Sequence, residues 1–366
     1  MKSFLKIYIT ILLSYFSLIN LGYAQDNSKS SIISDTLEMM DNQDVPVLFN
    51  SDEILILTIK TDMRALKKDM GGTAIYHPAT ITYLSSDSSP VSLKLKIKAR
   101  GRFRKSKENC NFPPLKLNFP KKKTKNTIFH QQDKVKLVTH CKEKQKSYEQ
   151  WLLEEYLIYK VYNLFSEFSI KARLAQITYI DTEGKLNPVT KHGFFIESED
   201  MMAERNDGKI MKNKKIPPNY CNYQKFTLFC IFQYMIGNTD WGVRALHNVI
   251  LVKLNNPLLI APVAIPYDFD FSGIINAFYA TPDPVLPIVD VSDRLWRCSC
   301  RTIEELSDHF SSFNEHKDEI YALYGNLKPL EEKYKNLSFK YYDKFYETIN
   351  NPKKIERAII RGCGNK

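Results

Sequence analysis

The chain has 366 residues, of which 43% are hydrophobic and 12% aromatic, and its formal net charge at pH 7 is +11. This composition excludes an intrinsically disordered chain, which has too few apolar residues to form a core. Part of the positive charge lies in two short clusters, PKKKTKN at 120–126 and MKNKK at 211–215. Such clusters are typical of solvated loops and also suit acidic or phosphorylated partners. Because no nucleic-acid-binding motif accompanies them, we expect no nucleic-acid partner.

The first 24 residues predict a secretory signal peptide. Lys2 and Lys6 precede an apolar stretch at 7–21, and the small residues of GYA at 22–24 suit cleavage before Gln25. The alternative is an uncleaved anchor, but the apolar stretch is shorter than the roughly 20 residues that span a bilayer. We therefore expect export to the periplasm or the extracellular space, with no stable transmembrane segment after the leader is removed.

The seven cysteines all follow the predicted leader. In an exported protein they are candidates for disulfides, and their odd number leaves at least one free or intermolecular. Zinc binding through CSC at 298–300 is disfavoured, because a single spacer residue is unusual for zinc and no His follows nearby. We favour a Cys110–Cys141 pair, since each flanks a predicted strand and antiparallel neighbours would bring them together.

The chain after the leader begins with a polar, acidic linker at 25–50 and then becomes strand-like. A short helical or turn segment at 62–72 follows the first strand. The alternation of apolar and polar residues predicts an antiparallel sheet. Its five strands lie at 54–61, 79–85, 91–104, 113–119 and 133–140.

The periodicity becomes helical at 147–168, where one long amphipathic helix is predicted. A strongly apolar helix at 223–237, which Gly237 ends, follows a polar loop at 203–219. The remaining elements are strands at 172–181, 192–200, 249–253 and 259–271, and helices at 302–312, 327–350 and 352–361. We therefore predict an α+β chain whose β-rich part, 51–199, carries one long helix and precedes a mostly helical part at 200–366.

Two neighbouring loops concentrate oxygen-bearing side chains, in GNTDWGVRALHN at 237–248 and PYDFDFSG at 266–273. On a predicted strand Asp268 and Asp270 face the same way. Two carboxylates on one face repel each other unless a cation or hydrogen bonds compensate. A hard divalent ion such as Mg²⁺ (or Mn²⁺) does so with few protein ligands and keeps positions for phosphate.

Phosphoryl transfer to a hydroxyl requires a carboxylate that accepts the proton, together with an Asn and an Asp that hold metal ions. Asp240 is the candidate base, Asn248 a metal ligand, and Asp268 or Asp270 the principal metal-binding Asp. Each has a simpler alternative. Asp240 can cap the next turn, Asn248 can bond backbone groups, and His247 suits a structural hydrogen bond better than acid–base chemistry.

These two motifs, behind a β-rich segment that contains RGRFR at 100–104, resemble the CotH family of spore-coat-type atypical protein kinases. HGFFIESED at 192–200 is similar to the family segment in which the two lobes join. The resemblance extends over about residues 52 to 300 as short motifs. It implies a two-lobed, protein-kinase-like fold, with a β-rich N-terminal lobe, an α-rich C-terminal lobe and MgATP in the cleft between them.

The nucleotide-contacting residues follow from the same resemblance. Lys116 is the candidate phosphate-facing lysine, and Glu155 on the next helix is its candidate partner. Arg102 or Arg104 of RGRFR is a further candidate for a contact with phosphate. The alternative is that Gly101 only permits a bulge in the strand. The alternatives in similar settings are Lys94, Lys96, Lys98, Lys136 and Glu154.

The expected function is that of an exported atypical kinase which transfers a phosphoryl group from MgATP to a hydroxyl. The expected acceptor is a Ser or Thr of an exported protein, with a small molecule or glycan also open. The alternative is a non-catalytic kinase-like scaffold that binds an envelope or surface partner, since ATP is scarce outside the cytoplasm. A metal-dependent hydrolase is weaker, because only one His lies near the carboxylates.

Overall fold

The computed structural model describes residues 46–363, so the predicted leader and almost all of the predicted linker lie outside the described residues. From Val47 onward the chain forms one compact unit.

A closed barrel of seven strands forms the first part of this unit, in the spatial order β1-β2-β3-β4-β5-β7-β6. Neighbouring strands are antiparallel except β1 and β6, whose parallel pairing closes the barrel. The strands are β1 (Leu55–Thr61), β2 (His77–Leu84), β3 (Pro90–Ala99), β4 (Leu115–Asn118), β5 (Lys134–Val138), β6 (Ala172–Asp181) and β7 (Val189–Ile196).

Alternation along the strands separates the apolar interior of the barrel from its polar exterior. In β3, Leu95 and Ile97 are buried while Lys94 and Lys96 are exposed. The same period of two places Leu115 and Leu117 of β4 and Leu137 of β5 in buried positions, whereas the last four residues of β7 are all buried. The five strands predicted before residue 141 are therefore confirmed, except that the third ends at Ala99 and does not extend over 100–104.

The predicted two-lobed, protein-kinase-like fold is wrong, because the β-rich segment closes into a barrel. Periodicity identifies strands, but it does not show which strands pair. Closure depends on residues far apart in the sequence, such as Leu55 opposite Ala175. The sequence predicts an antiparallel sheet, and nothing in its alternation indicates that β1 and β6 pair in parallel.

Helices and a second, three-stranded sheet form the rest of the described chain. The sheet has the order β10-β9-β8, with β8 (Gly208–Met211), β9 (Val249–Leu254) and β10 (Val263–Pro266). The helices are α1 (Met63–Lys68), α2 (Lys146–Phe165), α3 (Glu199–Arg205), α4 (Tyr223–Ile236), α5 (Ile303–Glu315), α6 (Lys317–Asn326), α7 (Glu332–Ile349) and α8 (Pro352–Ile355).

The helix α2 occupies the centre of the unit. It packs against β6 and β7 on the barrel and against α4 and α6 on its other side. Most of its side chains are buried, including the carboxyl groups of Glu154 and Glu155. Its weak amphipathicity reflects this position, because a helix surrounded by protein needs no polar face.

Three disulfides connect six of the seven cysteines, and Cys221 is free and buried. The predicted Cys110–Cys141 pair is confirmed, as is an unpaired cysteine. The other bonds are Cys230–Cys298 and Cys300–Cys363. Disulfides of this number indicate an oxidising environment such as that of exported proteins. Among the described residues, none of the helices is long and apolar enough to cross a membrane.

We expect the Cys110→Ser, Cys141→Ser double variant to lose about 3 kcal/mol of unfolding free energy, because the bond closes a long loop in the unfolded chain. The two cysteines lie 31 positions apart. Urea unfolding under non-reducing conditions measures the change. A loss below about 1 kcal/mol would contradict a stabilising role for this bond.

Candidate functional site

Three chain segments surround a cleft of about 460 Å³, a size typical of small-molecule sites. The first segment, 100–104, follows β3. The second, 240–248, follows α4, and the third, 268–271, follows β10. The cleft therefore brings together the two oxygen-rich motifs and the RGRFR motif of the sequence.

Two glycines fix the second and third segments against each other. Gly237 ends α4 in the left-handed conformation, at φ +64°, and its carbonyl accepts a 3.0 Å hydrogen bond from the backbone N–H of Gly273. A Cβ atom on either glycine would collide with the hydroxyl of Tyr341. Only glycine permits this close approach, which holds the bases of both loops together.

Asp240 is held in a fixed orientation and remains open to the cleft. Its Oδ1 lies 2.7 Å from Nε2 of His247, and its Oδ2 accepts a 2.9 Å hydrogen bond from Nδ2 of Asn248. The side chain of Asp240 is 38% exposed. The turn is stabilised instead by Asn238, whose Oδ1 accepts from the N–H of Asp240 at 3.0 Å. Asp240 is thus free of the capping role and oriented by two neighbours.

Asn248 and Asp268 both adopt the left-handed backbone conformation, at φ +52° and +62°. Asn and Asp tolerate this region better than other non-glycine residues, and such conformations concentrate at functional sites. The predicted strand over 259–271 is wrong at its end, because β10 stops at Pro266 and Asp268 interrupts the alternation. Asp268 is consequently exposed, whereas Asp270 is buried.

Arg104 connects two buried carboxylates at the base of the cleft. Its guanidinium lies 2.9 Å from Oε2 of Glu155 on α2 and 2.8 Å from Oδ2 of Asp270. The hydroxyl of Tyr279 lies 3.4 Å from the same guanidinium. The three charged groups form one buried ion-pair network between the barrel, α2 and the segment after β10.

Burial and pairing shift the pKa values of this network in opposite directions. Burial raises the pKa of Glu155 above its ordinary value, and Arg104 opposes the shift. The pKa of Asp270 is also raised by burial, with Arg104 opposing and Asp268 adding to the rise. Burial alone would lower the pKa of Arg104, but Asp270 and Glu155 outweigh burial and hold it well above its usual range.

The other predicted contact residues lie in different places. Lys116 lies on the outer face of β4, and Glu155 pairs with Arg104 instead of with Lys116. Arg102 is exposed and lines the cleft, and its contact with phosphate stays a prediction. Arg100, which is not among the candidates from the sequence, also lines the cleft, and its buried Nε has no hydrogen-bond partner among residues 46–363. The alternating arginines of RGRFR are the signal that points to it.

The cleft contains carboxylate and amide oxygens that suit a hard divalent cation. Ligand atoms of Glu155, Asp268 and Asp270 lie within 4.8 Å of one another. Among residues 46–363, the carboxylate of Asp268 makes no hydrogen bond or ion pair. Within the described part of the chain, Arg104 contacts Oδ2 of Asp270, and Asn248 donates to Asp240 through Nδ2, so these contacts do not use Oδ1 of either residue. Carboxylate and amide oxygens suit Mg²⁺ or Mn²⁺.

No known protein-family model matches this chain, and a comparison with curated proteins found no similar sequence. The CotH family therefore stays a prediction from the short motifs.

Replacing Arg104 by Met is expected to destabilise the protein by about 3–5 kcal/mol near pH 8, because two buried carboxylates lose their cation. The folded-state pKa values of Glu155 and Asp270 are already raised and would rise further. A carboxyl group whose pKa is higher in the folded protein than in the unfolded chain makes folding less favourable as pH rises above the unfolded value of about 4. Below that pH the group is protonated in both states and has no such effect. The loss should therefore be smaller at pH 5.

Urea unfolding at both pH values measures this change. Arg102→Met is the matched control, since Arg102 is exposed two residues away and makes no ion pair with the described part of the chain. An equal effect of both substitutions, or a loss that does not decrease at pH 5, would contradict the network.

Proposed function

We propose that the protein transfers a phosphoryl group from a nucleoside triphosphate, bound with a divalent cation, to a hydroxyl acceptor. The observation that carries this proposal is the arrangement of Asp240, Asn248 and Asp268 around one cleft, beside arginines from the segment after β3. Positioning and charge stabilisation supply most of the catalysis of phosphoryl transfer, and these residue types serve both purposes.

Asp240 is suited to orient the acceptor and to take its proton. The hydroxyl oxygen would form the new bond to phosphorus while the bond from phosphorus to the leaving diphosphate breaks. The proton of the hydroxyl would pass to a carboxylate oxygen of Asp240, since that side chain faces the cleft and is already oriented by His247 and Asn248. This is general-base catalysis, which requires the base within hydrogen-bonding reach of the hydroxyl.

Asp268, together with Oδ1 of Asn248 and of Asp270, would hold the cation. A divalent ion there neutralises phosphate charge and orients the phosphate oxygens. Arg100 and Arg102 line the same cleft and provide fixed positive charge for phosphate. The unpartnered Nε of Arg100 supports this role, because a buried donor without an acceptor favours an anionic ligand.

The acceptor that best suits the disulfide-bonded chain is a Ser or Thr of another exported protein, and a glycan or small-molecule hydroxyl fits the same chemistry. An exported enzyme of this class needs a nucleotide outside the cytoplasm. The alternative of a non-catalytic scaffold is favoured by one observation. Arg104 already neutralises Glu155 and Asp270, so these carboxylates can serve stability alone.

Asp240→Asn is expected to lower the rate of phosphoryl transfer by about 10²–10⁴, because it removes the proton acceptor and keeps the shape of the side chain. The measurement follows the γ-phosphoryl group of labelled ATP, with Mg²⁺ or Mn²⁺, into water, Ser/Thr peptides and the protein's own hydroxyls.

Asp308→Asn is the matched control, since Asp308 is an exposed carboxylate on α5 outside the cleft. Unchanged transfer by Asp240→Asn would remove Asp240 from the mechanism. No transfer by the wild-type protein to any of these acceptors would favour the scaffold.

A further inference from the structure

The outer face of three adjacent barrel strands carries a concentration of lysines, which we call the lysine face. Along β3 they occupy alternate positions, so they share one side of the strand. Across the strands, Lys98 lies opposite Lys116, which lies opposite Lys136. The lysine face consists of Lys94, Lys96 and Lys98 of β3, Lys116 of β4, and Lys134 and Lys136 of β5.

The lysine face is poorly neutralised within the described chain. Only two of its six lysines have a carboxylate within 4.0 Å, Lys136 at 2.7 Å from Glu199 and Lys134 at 4.0 Å from Asp133. Like charges directly opposite each other destabilise a sheet. The pKa of Lys116 is lowered by partial burial and by its neighbours Lys136 and Lys98. A bound anion would relieve this repulsion.

The chemistry of the lysine face favours an acidic polypeptide over a lipid surface. The other outward positions of these strands are Pro90, Ser92, Asn118 and the buried Val138. The tyrosines beside Lys98 and Lys136, Tyr76 and Tyr267, are only partly exposed, so the face offers no fully exposed aromatic or branched aliphatic side chain for insertion into a bilayer. Lysines at alternate positions of β3 lie about 6.8 Å apart. An extended peptide repeats its own alternate side chains at the same distance, which lets each carboxylate meet one lysine.

We propose that the lysine face binds an acidic polypeptide segment in an extended conformation, with carboxylates at alternate positions. Electrostatic complementarity of this kind directs association and selects partners more than it adds affinity. The binding uses the exterior of the barrel and requires no nucleotide. The lysine face borders the candidate site, since Lys136 lines a neighbouring pocket together with Arg100 and Asp268.

The test measures binding of a fluorescent peptide of about a dozen residues that alternates Glu and Ser, using the whole folded protein at low salt. The triple variant Lys94→Gln, Lys96→Gln, Lys116→Gln should bind it roughly 10-fold more weakly, as expected when about three exposed ion pairs are lost. The control is Lys212→Gln, Lys214→Gln, Lys215→Gln, which removes the same charge from exposed lysines of another loop. The control should bind like the wild type.

Affinity should also fall steeply as salt approaches 0.15 M, where the screening length is about 8 Å. Equal weakening in both triple variants would show a response to net charge alone and would overturn the proposal. Two other results would also overturn it: no binding of the peptide by the wild type, or capture of phosphatidylglycerol vesicles without capture of the peptide. The unfolding midpoints of both variants confirm that each remains folded.

Discussion

The ion pairs of Arg104 with Glu155 and Asp270 are the interaction on which the cleft depends. They connect the segment after β3, the buried helix α2 and the segment after β10, at N–O distances of 2.8–2.9 Å. Charges desolvated to this extent are stable only when each meets a partner, so the network tolerates little displacement of any of the three segments. The arrangement fixes Asp270 below the cleft and leaves the neighbouring Asp268 exposed within it.

The second constraint is the contact between Gly237 and Gly273, which holds Asp240 near the same opening. Together the two constraints explain how side chains from distant parts of the chain come to line one cleft. They also separate two kinds of carboxylate. Glu155 and Asp270 are paired with the internal cation Arg104, whereas Asp240 and Asp268 face the opening.

Local patterns in the sequence were sufficient to predict most of the strands, the helices α2 and α4, and the Cys110–Cys141 bond. Long-range pairing was not predictable in the same way, because periodicity carries no information about which strands meet. For that reason the closure of the barrel through β1 and β6 was missed. The short strand β8 and the helix α3 were also missed, since they lie in or next to a Lys-rich segment that reads as a loop.

The sequence indicates residues that line the cleft, but it does not indicate how these residues are arranged. The sequence indicates Asp240, Asn248, Asp268 and Asp270, yet it does not indicate the positive φ of Asp268, nor that Asp268 is exposed while Asp270 is buried. Glu155 was expected beside a lysine, and its partner is Arg104. Lysines on alternating strand positions look alike in sequence, whereas the structure places Lys116 on the outer surface of the barrel.

Thermal unfolding of the protein with and without MgATP is the most direct test of nucleotide binding in the cleft. A ligand at 100 times its dissociation constant adds about 2.7 kcal/mol to the native state, which raises the unfolding temperature by several degrees in a chain of this size. We predict a rise that requires Mg²⁺ or Mn²⁺ and that Asp268→Asn abolishes while Asp308→Asn retains it. The absence of any rise in well-folded protein, or an equal rise in both variants, would contradict the account.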